Sequence, residues 1–223
     1  MNEPVGILGG TFDPIHLGHL RIAEEVADAL QLATVRIIPS GIPPHRSPPM
    51  FSPEERLEMC RHSIADNPRF VLDASEAHKT TPSFTVETLE RFASENAEIT
   101  PQVLTQVLIL GADAFLGLHK WHRWEEILKL AHIALVARPG FDVAAQLPEA
   151  LNEIFQSHFI GSSPQAAIRS RQAGAIVSVT VTALDISATK IRAALNNGSS
   201  VRYLVADVIL PHLSKQSGHA IEP

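Results

Sequence analysis

The chain has 223 residues, of which 45% are hydrophobic, and a formal net charge of −6. These values predict one globular domain and argue against a broadly basic surface, so no nucleic-acid partner is expected. Cys60 is the only cysteine, which excludes an intramolecular disulfide and a cysteine-based zinc site and fits a reducing cytoplasm. The first residues lack the features of a secretory signal, and no apolar run reaches the roughly 20 residues that cross a bilayer, so no membrane association is expected.

Short apolar runs alternate with helix-like stretches along the chain. The runs that we interpret as strands lie at residues 5–8, 34–38, 70–72, 103–110, 133–137 and 176–181. Most of them are continuously apolar, as strands are when helices cover both faces of a parallel sheet. The pattern predicts an α/β fold with a mostly parallel sheet, in one domain over residues 1–213 with a polar, frayed tail at 214–223.

The segment after the first predicted strand, residues 9–19, has the sequence GGTFDPIHLGH. Gly9 and Gly10 would let the backbone come close to a ligand, and the start of the following helix would offer unpaired N–H groups to an anion. His16 and His19 are three residues apart, which places them on one face of a helix. The segment is therefore predicted to bind the phosphates of a nucleotide.

Other phosphate-binding and metal-binding motifs fit this segment less well. A dinucleotide fingerprint needs a Gly-x-Gly-x-x-Gly spacing that is missing here, and a P-loop needs a lysine, whereas the first lysine is Lys79. A zinc site on His16 and His19 would lack the glutamate of a zinc-protease helix and a visible third ligand. Zinc ligation and a purely structural pair of histidines stay open as minor alternatives.

Residues 39–53 are rich in proline and are predicted to form a loop. His45 and Arg46 lie in this loop and could contact an anion, although a stiff surface connector is an equally good interpretation. The loop ends near Ser52, which forms a capping-box pattern with Glu55 for a helix that should run to about Ala65.

A second anion site is predicted near the C-terminal end of the sequence. Ser187 is a plausible N-cap for a helix that carries Lys190 and Arg192 in its first turns. The alternative is an ordinary capped surface helix.

These two segments carry a resemblance to a known family. Residues 9–14 with His16, Gly18 and His19 resemble the signature of the nucleotidyltransferases that transfer an adenylyl group from ATP. Residues 186–192, ISATKIR, resemble the motif with which the same superfamily holds the far phosphates of ATP. Over nearly its whole length the chain is similar to bacterial nicotinate-nucleotide adenylyltransferases. The further matching segments are PPHR at 43–46, PSFT at 82–85, GAD at 111–113, Trp121 and RPG at 138–140.

The resemblance implies a Rossmann-like, doubly wound fold with a C-terminal helical part that closes over the triphosphate. It also implies a reaction, in which ATP and nicotinate mononucleotide give nicotinate adenine dinucleotide (deamido-NAD) and pyrophosphate. The attacking 5′-phosphate is already anionic, so catalysis must come from positioning and charge stabilisation. By resemblance, the catalytic residues are His16, His19 and Arg192. The implied ATP-binding residues are Gly9, Gly10, Thr11, Phe12, Gly18, Asp113, Ile186, Ser187 and Thr189.

The resemblance further implies how the metal and the second substrate bind. Mg²⁺ is the expected cofactor, carried mainly by the substrate phosphates and with few or no dedicated protein ligands. The implied mononucleotide-binding residues are His45, Arg46, Thr85 and Trp121. Trp121 would stack on the electron-poor pyridinium ring. The family often has a second aromatic directly after this tryptophan, where the chain has His122.

Two alternative functions remain. The protein could be an adenylyltransferase that prefers nicotinamide mononucleotide, because recognition of a carboxylate or an amide can rest on backbone groups. It could also be a nucleotide-sensing module that keeps the fold without the chemistry, although intact His16, His19 and Arg192 argue against this. A homo-oligomer is compatible with the sequence, which does not determine the assembly state.

Overall fold

The computed structural model describes residues 3–42, 48–99, 104–137 and 142–217. Within these residues the chain forms seven strands and nine helices. The strands are β1 (Val5–Gly10), β2 (Thr34–Pro39), β3 (Phe70–Leu72), β4 (Gln106–Gly111), β5 (His132–Ala137), β6 (Phe159–Ile160) and β7 (Ile176–Thr180). The helices are α1 (Leu17–Leu30), α2 (Pro53–Ile64), α3 (Thr85–Ile99), α4 (Ala112–Leu116), α5 (Trp124–Leu130), α6 (Glu149–His158), α7 (Pro164–Arg169), α8 (Ala188–Asn196) and α9 (Leu210–Ser217).

The strands form one sheet in the order β3-β2-β1-β4-β5-β7-β6. The pairings of β1 with β4, β4 with β5, β5 with β7, and β6 with β7 are parallel. The chain order reverses at β1 and β4, which is the arrangement of a doubly wound sheet. The predicted Rossmann-like α/β fold is therefore confirmed.

The central strands are apolar because both of their faces are covered. The first five residues of β4 and of β5 are buried at every position. Such strands show a continuous apolar run instead of an alternating one, as the sequence predicted.

Several element boundaries differ from the predicted ones. Strand β1 continues through Gly9 and Gly10, so the turn begins at Thr11 and not at the glycines. Strand β6 has only two residues and was not predicted, because so short a run carries no periodicity. Helix α9 extends to Ser217, so residues 214–217 are helical, whereas residues 218–223 lie outside the described ranges. The limits of the domain and of the tail stay a prediction.

The chain divides into two compact units, each built from three segments. Unit 1 comprises residues 1–8, 22–36 and 84–182, and unit 2 comprises residues 9–21, 37–83 and 183–223. Unit 2 contains the glycine-rich segment, α2 and α8, and unit 1 contains β4, β5 and the predicted ring-binding residues. In the described part of the chain, no helix is long and apolar enough to cross a membrane.

Candidate active site

A cavity of about 590 Å³ lies in unit 2, where the glycine-rich segment after β1 meets the start of α8. Sites for small molecules typically have volumes of about 300–1,000 Å³, so a nucleotide-sized ligand is compatible with this space. The described residues that line it are Gly9, Gly10, Thr11, Phe12, Asp13, His19, Pro48, Pro49, Ala188, Thr189 and Arg192. The fold thus brings the two sequence motifs together at one cavity.

The two histidines of the first motif stack on each other. Their ring centroids are 3.6 Å apart and their planes differ by 21°. The ring of Phe12 meets His19 edge-on, with the centroids 4.9 Å apart. His16 is buried, while His19 reaches the cavity. Helix α1 begins at Leu17, so His16 directly precedes the helix and does not lie within it as predicted.

Both histidine rings are neutral at neutral pH. Burial lowers the pKa of His16 to about 4, and burial together with the neighbouring His16 lowers the pKa of His19 well below its ordinary value. The backbone N–H of His16 donates to Nδ1 of His19 at 3.3 Å, which leaves the His19 proton on Nε2. His19 can therefore donate one hydrogen bond from Nε2 to a ligand. The buried Nδ1 of His16 has no hydrogen-bond partner within the described residues.

The expectation of unpaired N–H groups at the start of α1 needs correction. The N–H of Leu17 donates to the carbonyl oxygen of Leu204 at 3.0 Å, and the N–H of His19 donates to that of His16 at 2.9 Å. With the N–H of His16 on the His19 ring, three donors of this turn already have protein partners. His19 lines the cavity, whereas Leu17 and Gly18 at the start of the helix do not.

The second motif is a capped helix start, as the sequence predicted. The hydroxyl oxygen of Ser187 accepts a hydrogen bond from the N–H of Lys190 at 3.2 Å, so Ser187 is the N-cap of α8. The Nη1 of Arg192 donates to the carbonyl oxygen of Asp13 at 2.7 Å and lies 3.4 Å from its carboxylate. Thr189 and Arg192 line the cavity, while the half-buried Ile186 does not.

Gly18 packs closely against His16 and Ile186. A Cβ atom at this position would lie 3.0 Å from Nδ1 of His16 and 3.5 Å from the carbonyl oxygen of Ile186. The first distance is shorter than almost all real Cβ contacts, so His16 would have to move. Gly18 therefore leaves room for the histidine ring.

Two residues of this site were missed as functional candidates, Asp13 and Arg56. The carboxylate of Asp13 accepts hydrogen bonds from the N–H groups of Met50 at 2.9 Å and Phe51 at 3.0 Å. Arg56 is completely buried on α2 and donates to four backbone carbonyl groups. Asp13 was visible in the first motif, but nothing in the sequence around Arg56 indicates that it contacts the segment after β1.

Three of the predicted substrate-binding residues lie in unit 1. Thr85 begins α3 and is half-buried, and Trp121 is half-buried at the end of a short 3-10 turn. Asp113 is exposed in the first turn of α4, where a carboxylate also favours the helix dipole. His122 packs its ring against Phe84, with the centroids 4.5 Å apart. His45, Arg46 and residues 138–140 lie outside the described residues.

Comparison with known proteins decides the family. A family model described as cytidylyltransferase-like matches residues 7–194. A protein from Dechloromonas aromatica, named as a probable nicotinate-nucleotide adenylyltransferase, is 46% identical over 218 residues, which cover 97% of this chain and 98% of that protein. A protein of the same name from Halorhodospira halophila is 47% identical, with coverage of 94% and 93%. The chain belongs to the nicotinate-nucleotide adenylyltransferase family.

Solved structures of such enzymes share the fold. The nicotinic acid mononucleotide adenylyltransferase of Plasmodium falciparum, complexed with NaAD, aligns with a TM-score of 0.69 at 15% identity and covers 99% of this chain and 100% of its own. The complex of the same enzyme with APC aligns with a TM-score of 0.67 at 14% identity, over 99% and 100% of the two chains. At such low identity the likeness concerns the fold, and membership of the adenylyltransferase family rests on the closer relatives.

Proposed function

We propose that this protein transfers the adenylyl group of ATP to the 5′-phosphate of nicotinate mononucleotide, giving nicotinate adenine dinucleotide and pyrophosphate, a step in NAD synthesis. The observation that carries the proposal is the single cavity lined by His19, Thr189 and Arg192, in which both motifs of the family meet. The names of relatives at 46% and 47% identity support the choice of substrate.

The reaction needs charge stabilisation more than it needs a base. The attacking phosphate is already ionised, and negative charge grows on the bridging oxygen as pyrophosphate leaves. A neutral His19 with its proton on Nε2 is a hydrogen-bond donor suited to an α-phosphate oxygen. We assign His16 and His19 this role at the reacting phosphate.

Arg192 supplies the fixed positive charge of the cavity. Its guanidinium is held by the carbonyl oxygen of Asp13 at 2.7 Å and approaches the hydroxyl oxygen of Thr189 at 3.4 Å. These contacts leave further N–H donors for the β- and γ-phosphates, because a guanidinium carries five. Ser187 and Thr189, at the start of α8, would bind the same phosphates.

We propose Mg²⁺ as the cofactor, bound mainly to the substrate phosphates. The described residues contain no group of three or more histidine, cysteine, aspartate or glutamate side chains that could hold a metal. Asp13 lines the cavity, but its carboxylate already accepts hydrogen bonds from the N–H groups of Met50 and Phe51. With so few protein ligands in the described cavity, a bound Mg²⁺ ion would keep several of its waters and bind mainly to the substrate phosphates. When bound, Mg²⁺ would offset the charge of the leaving pyrophosphate.

We propose roles for the remaining substrate-binding residues as well. We assign Thr85 and Trp121 to the pyridine ring, Asp113 to the ATP ribose, and His45 and Arg46 to the mononucleotide phosphate. We also propose a cytoplasmic location, because the reaction consumes ATP. The single thiol, at Cys60, suits the same compartment.

The fate of a labelled phosphorus atom tests the reaction type. With ATP labelled at the α-phosphorus, the label should enter the dinucleotide, and with ATP labelled at the γ-phosphorus it should leave as pyrophosphate. Both outcomes require nicotinate mononucleotide. Release of inorganic phosphate or of unlinked AMP as the product would contradict adenylyl transfer.

A further inference from the structure

The side chain of Arg56 contacts the backbone of unit 2 at three places: Thr11, Ser40 with Gly41, and Phe51. From α2, its Nη1 donates to the carbonyl oxygens of Thr11 and Ser40, each at 2.6 Å. Its Nη2 donates to the carbonyl oxygen of Gly41 at 2.7 Å, and its Nε to that of Phe51 at 3.3 Å. No part of the side chain is exposed, so this guanidinium cannot itself touch a ligand in the cavity.

One of these carbonyl groups belongs to a residue that lines the cavity, and a second belongs to a residue that is hydrogen-bonded to the same segment. Thr11 directly follows β1 and lines the cavity. Ser40 directly follows β2, and its N–H donates to the carbonyl oxygen of Gly10 at 2.9 Å. Arg56 therefore ties the backbone after β1 to the backbone after β2.

The backbone next to Thr11 adopts a conformation that needs such support. Phe12 has a φ of 48°, in the left-handed region that residues other than glycine rarely adopt. Backbone of this kind persists only where its surroundings hold it. The next residue, Asp13, is fixed by the N–H groups of Met50 and Phe51 and in turn holds Arg192. Residues 11–13 are thus held on both sides of Phe12.

Burying the guanidinium of Arg56 costs free energy, and its hydrogen bonds must offset that cost. An apolar side chain of similar volume would avoid this cost, but it would leave the four carbonyl oxygens without their donor. A planar guanidinium, unlike an ammonium or an apolar group, donates in several fixed directions at once. Arg56 uses that fork to set the relative positions of Thr11, Ser40 and Gly41.

We propose that Arg56 is a positioning residue for ATP: its guanidinium fixes residues 11–13, and through them the placement of His19 and Arg192 at the cavity. The inference rests on the proposed function, because it assigns this cavity to ATP. It predicts that substitution of Arg56 weakens the binding of ATP and leaves the binding of nicotinate mononucleotide unchanged.

Arg56→Lys and Arg56→Gln test this inference, with Arg61→Lys as the matched control. Arg61 lies on the same helix, is exposed, and pairs with Glu58. Lysine keeps the charge but cannot reach the same carbonyl groups with a planar fork. Both Arg56 variants should raise the KM for ATP about tenfold or more, whereas the KM for nicotinate mononucleotide stays within about twofold. Arg61→Lys should leave both values unchanged.

The pattern of KM values separates positioning from a purely structural role. A smaller folded fraction lowers the apparent kcat but leaves both KM values unchanged, so that result would overturn the inference. So would wild-type kinetics in both Arg56 variants, or a failure of both to fold, as judged by circular dichroism.

Calorimetric titration with a non-hydrolysable ATP analogue keeps this test independent of the assigned reaction. If the wild type binds the analogue but makes no dinucleotide, the proposed function fails, and the Arg56 inference is still decided by the ratio of binding constants. If the wild type is active and Arg56→Lys binds the analogue as tightly, the Arg56 inference alone fails.

Discussion

His19 is the side chain on which the proposed chemistry depends most directly, because it is the histidine of the stacked pair that lines the cavity. We predict that His19→Ala lowers kcat by about two to three orders of magnitude, the usual effect of losing one preorganised donor at a developing charge. Steady-state rates of pyrophosphate release would measure the loss.

Another histidine of unit 2, His62, provides the control for this substitution. His62 is exposed on α2 and packs against the ring of His212, with the centroids 5.1 Å apart. His62→Ala should keep wild-type turnover, and both variants should keep the wild-type circular dichroism spectrum. Near-normal turnover of His19→Ala would refute the assigned role.

The lowered pKa of the buried His16 also predicts how the free energy of unfolding depends on pH. The pKa of His16 is about 4 in the fold, against an ordinary value of 6.5, so between these values the unfolded chain binds more protons than the native one. The free energy of unfolding should therefore fall as the pH decreases from about 6.5 to about 4. His132, whose pKa burial lowers to about 4, and His19, whose pKa burial and the neighbouring His16 lower well below its ordinary value, add to the same trend.

Urea denaturation at a series of pH values would measure this dependence. His16→Gln removes one of the three described histidines whose pKa burial lowers, so its free energy of unfolding should decline less steeply than that of the wild type over the same pH range. Identical slopes for the two proteins would contradict the shifted pKa of His16.

Asp13 and Arg56 show why single residues of a site can escape sequence analysis. Most of their partners are backbone groups, and those groups carry no residue-specific signal. Arg56 contacts the carbonyl oxygen of Thr11, 45 positions away, and Asp13 contacts the N–H of Phe51, 38 positions away. His16 and His19 could be predicted because they stand close together within one recognisable motif.

Gly18, in the first turn of α1, lies close to the ring of His16 and to the backbone of Ile186. Gly18→Ala would place a Cβ atom 3.0 Å from Nδ1 of His16, so the ring would have to shift by a few tenths of an ångström. Because small displacements of catalytic groups are costly, we predict that kcat falls by about 10- to 100-fold. The same assay of pyrophosphate release would measure this change.

Gly117 provides the matched substitution for Gly18. A Cβ atom at Gly117 would come no closer than 3.6 Å to another residue, which is ordinary van der Waals contact. Gly117→Ala should therefore retain wild-type turnover. If Gly18→Ala were equally active, Gly18 would not be needed for the placement of His16.

The sequence predicts helix ends well where they depend on side chains close by in the chain. The capping box of Ser52 and Glu55 is present, and α2 ends at Ile64, close to the predicted end at Ala65. Boundaries set by tertiary pairing were predicted less well, because strand pairing extends β1 through Gly9 and Gly10 and stabilises the two residues of β6. Local pattern carries no information on such pairing.

The fold as a whole followed from the continuous apolar strands, whereas the order of the strands did not. Crossover connections decide which strands become neighbours, and the order β3-β2-β1-β4-β5-β7-β6 has no local signal. The sequence predicted that residues 9–19 and 186–192 would both bind phosphates, and the described structure brings them to one cavity. The roles of Thr85, Asp113 and Trp121 stay predictions.

The central claim is that the second substrate is nicotinate mononucleotide. The direct test is a paired assay of dinucleotide formation from ATP with either nicotinate or nicotinamide mononucleotide, at equal enzyme concentration and with Mg²⁺ present. The proposed function predicts a higher kcat/KM for the nicotinate substrate. A higher kcat/KM for the nicotinamide substrate would contradict it, as would no dinucleotide from either.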